Sequence, residues 1–322
     1  MTLTQLLADC YRRLNHPTSP PSAVTTRLTA FLNDAHRQIL TRPGMERLRD
    51  DVMTFASVAN QARYGLPPNI ARIKSITDRT NDLRLALRTL DTLRSEDPGL
   101  TASGTPDGYV PISYQPVAVQ PSAATGIWAV SSSASDTAGP TVSIDTFTTG
   151  GYRHTPSATA LTGTSRVQLG SRTDIIEITK FILSASCVGY ISLYDAATNG
   201  NELARIEPGK TAGRYVGIQL DPVPSAAITY YVDYTRVIPD LSAATDEPLL
   251  PEDFHWVLVA MACRMEYAKT DDTRYAQMVA EEERGVRALR SWVLYPPDFR
   301  AVSGVEETDR SNLGSWYPSG TW

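Results

Sequence analysis

The chain has 322 residues, 42% hydrophobic and 20% charged, with a formal net charge of −5; that length can bury a substantial core and suggests about two domains. The balance is mildly acidic and no basic run occurs, which argues against tight nucleic-acid binding. No apolar stretch reaches the roughly 20 residues that span a bilayer, and the first residues lack a signal peptide's apolar block, so a soluble protein made in the cytoplasm is expected. At the N-terminus Leu3, Leu7, Cys10, Tyr11 and Leu14 recur at helical spacing, with Thr2 placed to cap. His16-Pro17-Thr18-Ser19-Pro20-Pro21 ends that helix, because proline neither donates a hydrogen bond nor fits the next turn. Ser22 is placed to cap a second helix carrying Val24, Leu28, Phe31, Leu32, Ala35 and Ile39, which Arg42-Pro43-Gly44 closes.

Residues 52–58 and 70–76 read as short strands separated by the turn signal Gly65-Leu66-Pro67-Pro68-Asn69, and residues 83–87 offer a third. Thr89 or Asp91 caps a one-turn helix before Asp97-Pro98, and Gly104-Thr105-Pro106-Asp107-Gly108 is a strong turn. Charge then thins: between Thr101 and Gly170 only Asp107, Asp136, Asp145, Arg153 and Arg166 are charged, and the periodicity is nearer two than 3.6. Strands are expected at 127–130, 141–147, 166–169, 175–183, 190–194, 214–220 and 228–234. About seven short strands with turns such as Asn199-Gly200-Asn201 and Pro208-Gly209-Lys210 suggest an immunoglobulin-like antiparallel sandwich.

Helical spacing returns after Leu250. Pro251 suits a first helical position, and Glu252 and Asp253 put negative charge where a helix N-terminus favours it. Phe254, Val257, Leu258, Met261 and Met265 mark one apolar face, and Thr270-Asp271-Asp272 breaks the pattern. A second helix carries Tyr275, Val279, Val286, Leu289 and Val293 inward. Such a hairpin needs further helices to cover it, and those are at the other end of the chain. The expected fold class is therefore α+β, a helical bundle built from both chain ends with an inserted immunoglobulin-like sandwich. The expected divisions are 1–110, helices with short strands; 111–233, the sandwich; 234–295, the returning helices; and 296–322, an extended arm.

No chemistry is evident. His16, His36, His154 and His255 have no partner at metal-ligand spacing, and His36 and His255 read as helix-surface or boundary residues. The glycines at 150, 151 and 163 belong to turns, with no phosphate-cradling loop before a helix. There is no Gly-x-Ser-x-Gly elbow, and carboxylates such as Asp271-Asp272 and Glu281-Glu282-Glu283 sit on polar helix faces. Cys10, Cys187 and Cys263 are isolated in sequence, and a buried reduced thiol is the reading for Cys10 and Cys263. No catalytic residue, cofactor or metal is expected. Aromatic placement says more: Trp292 and Tyr295 end the last helix, and Phe299, Trp316, Tyr317 and Trp322 follow among Gly, Ser and Pro. Large aromatics on a segment too short for its own core suggest anchors for another protein's pocket, with folding back on the chain's own helices as the other reading.

The order of these features resembles the head-to-tail connector, or portal adaptor, proteins of tailed bacteriophages. The resemblance rests on the N-terminal helix pair with Phe31-Leu32-Asn33-Asp34-Ala35-His36-Arg37, and on Tyr64-Gly65-Leu66-Pro67 with the strand after it. It resumes at Tyr234, Pro239-Asp240-Leu241-Ser242, Leu250-Pro251-Glu252-Asp253-Phe254 and the closing helix pair. It covers about half the chain, and the segment from roughly residue 111 to 232 departs from it. It implies a virion protein that forms a ring, usually of twelve copies, below the portal and lengthens the DNA channel. It also implies a platform for a tail, nozzle or fibre protein, and portal docking by Trp292, Tyr295, Phe299, Trp316, Tyr317 and Trp322. At −5 per subunit, twelve copies carry about −60, so an acidic or mixed lumen that passes DNA without capturing it is expected. A host-surface or glycan-binding protein using the sandwich as receptor module is the alternative, favoured if Trp128 or Tyr152 is exposed.

Overall fold

The computed structural model describes residues 1–270 and 273–294. It is a mixed α+β protein, with five α-helices among the described residues and several largely antiparallel sheets. The chain divides into two units. One joins Met1–Asp50 to the chain from Ile238 onward, and the other is Asp51–Val237. The first boundary falls well before the expected 111, while the second falls close to the expected 233, so the strands expected beside the helices belong to the β unit.

The helical unit holds α1 (Leu3–Arg13), α2 (Ser22–Leu40), α4 (His255–Thr270) and α5 (Tyr275–Leu294) around one core. Thr2 begins α1, its backbone N–H donating to Gln5 Oε1 at 2.8 Å, one half of a capping box. Ser22 is not a cap. Pro21, with φ held at −53°, takes that position and Ser22 becomes the first helical residue. The expected one-sided face on α4 is also overturned. Val257, Leu258, Val259, Ala260, Met261, Ala262 and Cys263 are all buried, so the helix is apolar on every side and must be surrounded. Helices α1, α2 and α5 all pack on it. On α5 the buried stripe is Met278, Glu282, Gly285, Leu289 and Val293, while Tyr275, expected inside, is exposed.

The β unit begins with β1 (Asp50–Ala56), β2 (Arg63–Leu66), β3 (Ile70–Asp78), β4 (Leu83–Arg84), β5 (Ala86–Leu87), the short helix α3 (Leu90–Glu96), β6 (Ser103–Gly104) and β7 (Gly108–Gln115). Thr89 caps α3, its hydroxyl accepting from Thr92 N at 3.2 Å. The middle carries β8 (Trp128–Ser131), β9 (Thr137–Thr148), β10 (Arg153–His154), β11 (Thr159–Thr162), β12 (Val167–Gln168), β13 (Ile175–Leu183), β14 (Ile191–Tyr194) and β15 (Glu202–Ile206). The chain returns through β16 (Tyr215–Asp221), β17 (Val223–Pro224) and β18 (Thr229–Arg236).

These strands enclose two cores, not one. Sheets β1-β18-β3-β4 and β2-β16-β7-β5 supply Ile76, Tyr109, Ile218, Tyr230 and Val232 to the first. Sheet β12-β8-β14-β15 and the sheet of β9 with β10, β11 and β13 supply Ala129, Ile144, Phe181, Ile191 and Leu193 to the second. The strands at 214–220 and 228–234, expected in the sandwich, instead pair with β2 and β7 and with β3. Gly65, expected in a turn, lies inside β2 opposite Gly217, where an added Cβ would sit 2.3 Å from the Val117 carbonyl oxygen. The architecture is thus nested: the helices contain the first β core in sequence, and the first β core contains the second.

Helices α4 and α5 approach closely at Gly285. A Cβ there would lie 2.6 Å from Val257 Cγ2 and 2.8 Å from the Trp256 ring. Gly285→Leu is expected to destabilise the helical unit by about 1–3 kcal/mol through overpacking, read as an earlier loss of helical circular dichroism in urea; an unchanged midpoint would contradict the close packing.

Candidate functional site

The last turn of α5 alternates sharply in exposure. Val293 is buried, and Leu294 packs over Gly44, 3.5 Å from where its Cβ would stand. Trp292 points the other way and is 52% exposed, its ring 6.2 Å from that of half-buried Phe254 and tilted by 59°. Phe254 is held there by the 3-10 turn Glu252–Phe254, whose amide N–H bonds back to Pro251 O at 2.9 Å. A rigid indole supported by a second aromatic and open to solvent is the kind of anchor that fills a partner's pocket at little entropic cost. Of the six residues expected to dock, Trp292 alone falls among the described residues; Tyr295, Phe299, Trp316, Tyr317 and Trp322 lie outside them.

This surface stands on helices tied together by ion pairs between the two ends of the chain. Arg13 Nη1 donates to both Glu281 oxygens at 3.0 Å. Arg27 grips Glu266 with two bonds, Nε to Oε2 at 2.8 Å and Nη2 to Oε1 at 2.6 Å. Arg42 Nη2 donates to Glu282 Oε1 at 2.9 Å, and Arg264 Nε lies 3.1 Å from Glu282 Oε2 without hydrogen-bond alignment. Glu266 and Glu282 are buried, so their charges require these partners. Glu281 and Glu282, expected on a polar outer face, instead turn toward the other helices.

Both helix histidines are buried as well. His36 Nε2 accepts from Leu249 N at 3.1 Å, which places its proton on Nδ1; that atom faces the Pro239 carbonyl without hydrogen-bonding geometry. Burial lowers its pKa to about 4, against smaller opposing effects of the Pro239 carbonyl and Asp240. His255 Nε2 donates to Leu250 O at 2.8 Å, and burial lowers its pKa too. Two cysteines distant in sequence, Cys10 on α1 and Cys263 on α4, are buried free thiols. Interaction with the Cys263 side chain first, and burial second, push the Cys10 thiol well up. Among the described residues no three His, Cys, Asp or Glu side chains group as a metal site.

The alternative reading meets a divided outcome. Tyr152, after the Gly150-Gly151 turn, is 76% exposed. Trp128 is half-buried on β8, its ring 2.9 Å from where a Cβ on Gly126 would lie.

The histidine environment gives a pH prediction. A base whose folded pKa falls from 6.5 to about 4 stabilises the fold fully above pH 6.5, and that contribution is lost as pH falls towards 4, because the unfolded chain takes up the proton first. The loss is expected to be about 3 kcal/mol, and His36→Gln should flatten it. Chemical denaturation between pH 7 and pH 4 checks this; equal pH slopes for the two proteins would refute it.

No curated protein matches the chain significantly. A family model described as SU10 adaptor protein matches residues 1–137 and 143–293, taking in both helical segments, both β cores and Trp292. On that match, which spans most of its length, the chain belongs to the SU10 adaptor protein family, a family of phage adaptors.

Proposed function

We propose that this protein is a structural component of a tailed-phage virion, assembled as a ring, of twelve copies as in the resembling connectors, between the portal and the tail. The observation that carries the reading is the family match from residue 1 to residue 293, which joins the two chain ends that share one helical core. In this reading the helical unit is the ring-forming body, and residues 296–322 form an arm that reaches the portal. Trp292 with Phe254 is the fixed end of the docking surface. Tyr295, Phe299, Trp316, Tyr317 and Trp322 extend it.

The β unit serves as platform for a nozzle, tail or fibre protein, its second core being read as immunoglobulin-like. Genomic DNA passes through the ring without specific binding, which the acidic balance of −5 per chain favours. Tyr152 supports a second reading, receptor or glycan contact by the inserted strands, and saturable glycan binding abolished by Tyr152→Ala would favour it.

The test is to mix the purified protein with its cognate portal and image the product by electron microscopy. A ring below the portal with an acidic or mixed lumen is expected; a continuous basic lining or no cyclic assembly would refute the reading. Removing the residues after Pro297 should weaken portal binding by about tenfold or more while leaving helical content intact. Undiminished binding would remove the arm from the docking surface.

A further inference from the structure

The first β core contains a groove of about 610 Å³ bounded by Arg72, Lys74, Ser75, Arg84, Leu87 and Tyr109. Its walls are strand edges. Strand β4 pairs with β3 only at Thr77 and Asp78, so the stretch of β3 from Arg72 to Ser75 runs past the end of its neighbour. On the other side β5 is the last strand of its sheet. Ala86 N and Arg88 N bond to Asp107 O and Tyr109 O of the β7 side, so the main-chain groups of Leu87 between them turn outward. The Leu87 side chain is 66% exposed. An unfinished edge of this kind accepts an added strand unless something blunts it.

The charge of the groove runs against that of the protein. Arg72, Lys74 and Arg84 are all exposed, whereas the chain as a whole carries −5. Asp233, paired with Ser75 across the sheet, accepts a hydrogen bond from its hydroxyl. Arg72 and Lys74 are two residues apart on one strand, about 7 Å, which matches alternate side chains of a neighbouring strand. We propose that this groove binds an acidic, extended polypeptide segment, which adds a strand at Leu87 and sets alternate carboxylates against Arg72, Lys74 and Arg84. A nucleic acid fits less well. It has no main-chain groups for the Leu87 edge, and the aromatic ring available for stacking, Tyr109, is buried. The inference stands apart from ring formation, since it concerns the β unit of a single copy.

The probe is a fluorescein-labelled peptide of roughly ten alternating Glu and Val residues, added to the full chain and read by anisotropy. Saturable binding is expected, weakened about tenfold or more by the paired substitution Arg72→Glu with Arg84→Glu, and weakened also by Leu87→Pro, which removes the edge N–H. In the unsubstituted protein the peptide should slow hydrogen exchange at the Leu87 amide, a measurement that needs no variant to fold. Binding that ignores Arg72→Glu with Arg84→Glu, or that leaves Leu87 exchange unchanged, would overturn the proposal. So would preferential binding of a short DNA duplex through the same arginines.

Discussion

The run Val257–Cys263 imposes the constraint on which the helical unit depends. Seven consecutive buried residues leave α4 no solvent face, and each of its larger side chains contributes about 1.5–3 kcal/mol only if covered. Helix α5 can cover one side. The remaining sides need helices, and α1 and α2 supply them from more than two hundred residues away. Closing so long a loop costs little more than closing one half its length, because the entropic term grows only with the logarithm of length. The burial of one apolar helix thus forces the two chain ends together and leaves everything between them to fold as a separate unit.

Apolar burial alone does not fix which helix faces which. The ion pairs do. Arg13 and Arg42 reach α5, and Arg27 reaches α4, so each N-terminal helix has its own acidic partner on the C-terminal pair. A buried ion pair offers little net stability over a well-packed apolar contact, but breaking one leaves a charge stranded. Glu266 and Glu282, both buried, would be stranded in any rotated or shifted packing of these helices. Specificity of arrangement is the gain, and the half-exposed Trp292 beside Phe254 inherits its fixed position from it.

Much of this was legible in local pattern, and the failures share one cause. Periodicity located α1, α2, α4 and α5, because an apolar stripe is a local property of the chain. A cap at Thr89 or Asp91 is legible for the same reason, and Thr89 is the one that forms. What escaped depends on partners distant in sequence. His36 follows Leu32 by four residues and precedes Ile39 by three, so its place on the buried stripe was visible, but polarity argued it outward. Glu282 sits likewise four residues after Met278 and three before Gly285. Tyr275 fits the stripe by spacing yet is exposed, as the first residue of α5. Strands β16 and β18 are legible as strands but not in their core, because a strand's own alternation says nothing about which strand it pairs with. For the docking surface, Trp292 could be placed by helix spacing, and the arm beyond it rests on composition alone.

The nesting of the β unit has its own logic. Strands β1 and β18, which carry the chain into and out of the unit, are neighbours in one sheet. Entry and exit are therefore side by side. The same device recurs one level down. Ala118 N donates to Leu203 O and Gly213 N to Phe181 O, so the segments that lead into and out of the second core are each fastened to it. Tyr215, whose hydroxyl bonds both the amide and the carbonyl of Arg205, seals the outer edge of β15 at that point. An edge closed by a side chain cannot recruit another strand there. The contrast with Leu87 is then informative: the protein blunts the edge at β15 and leaves the one at β5 open, with cations arranged around it.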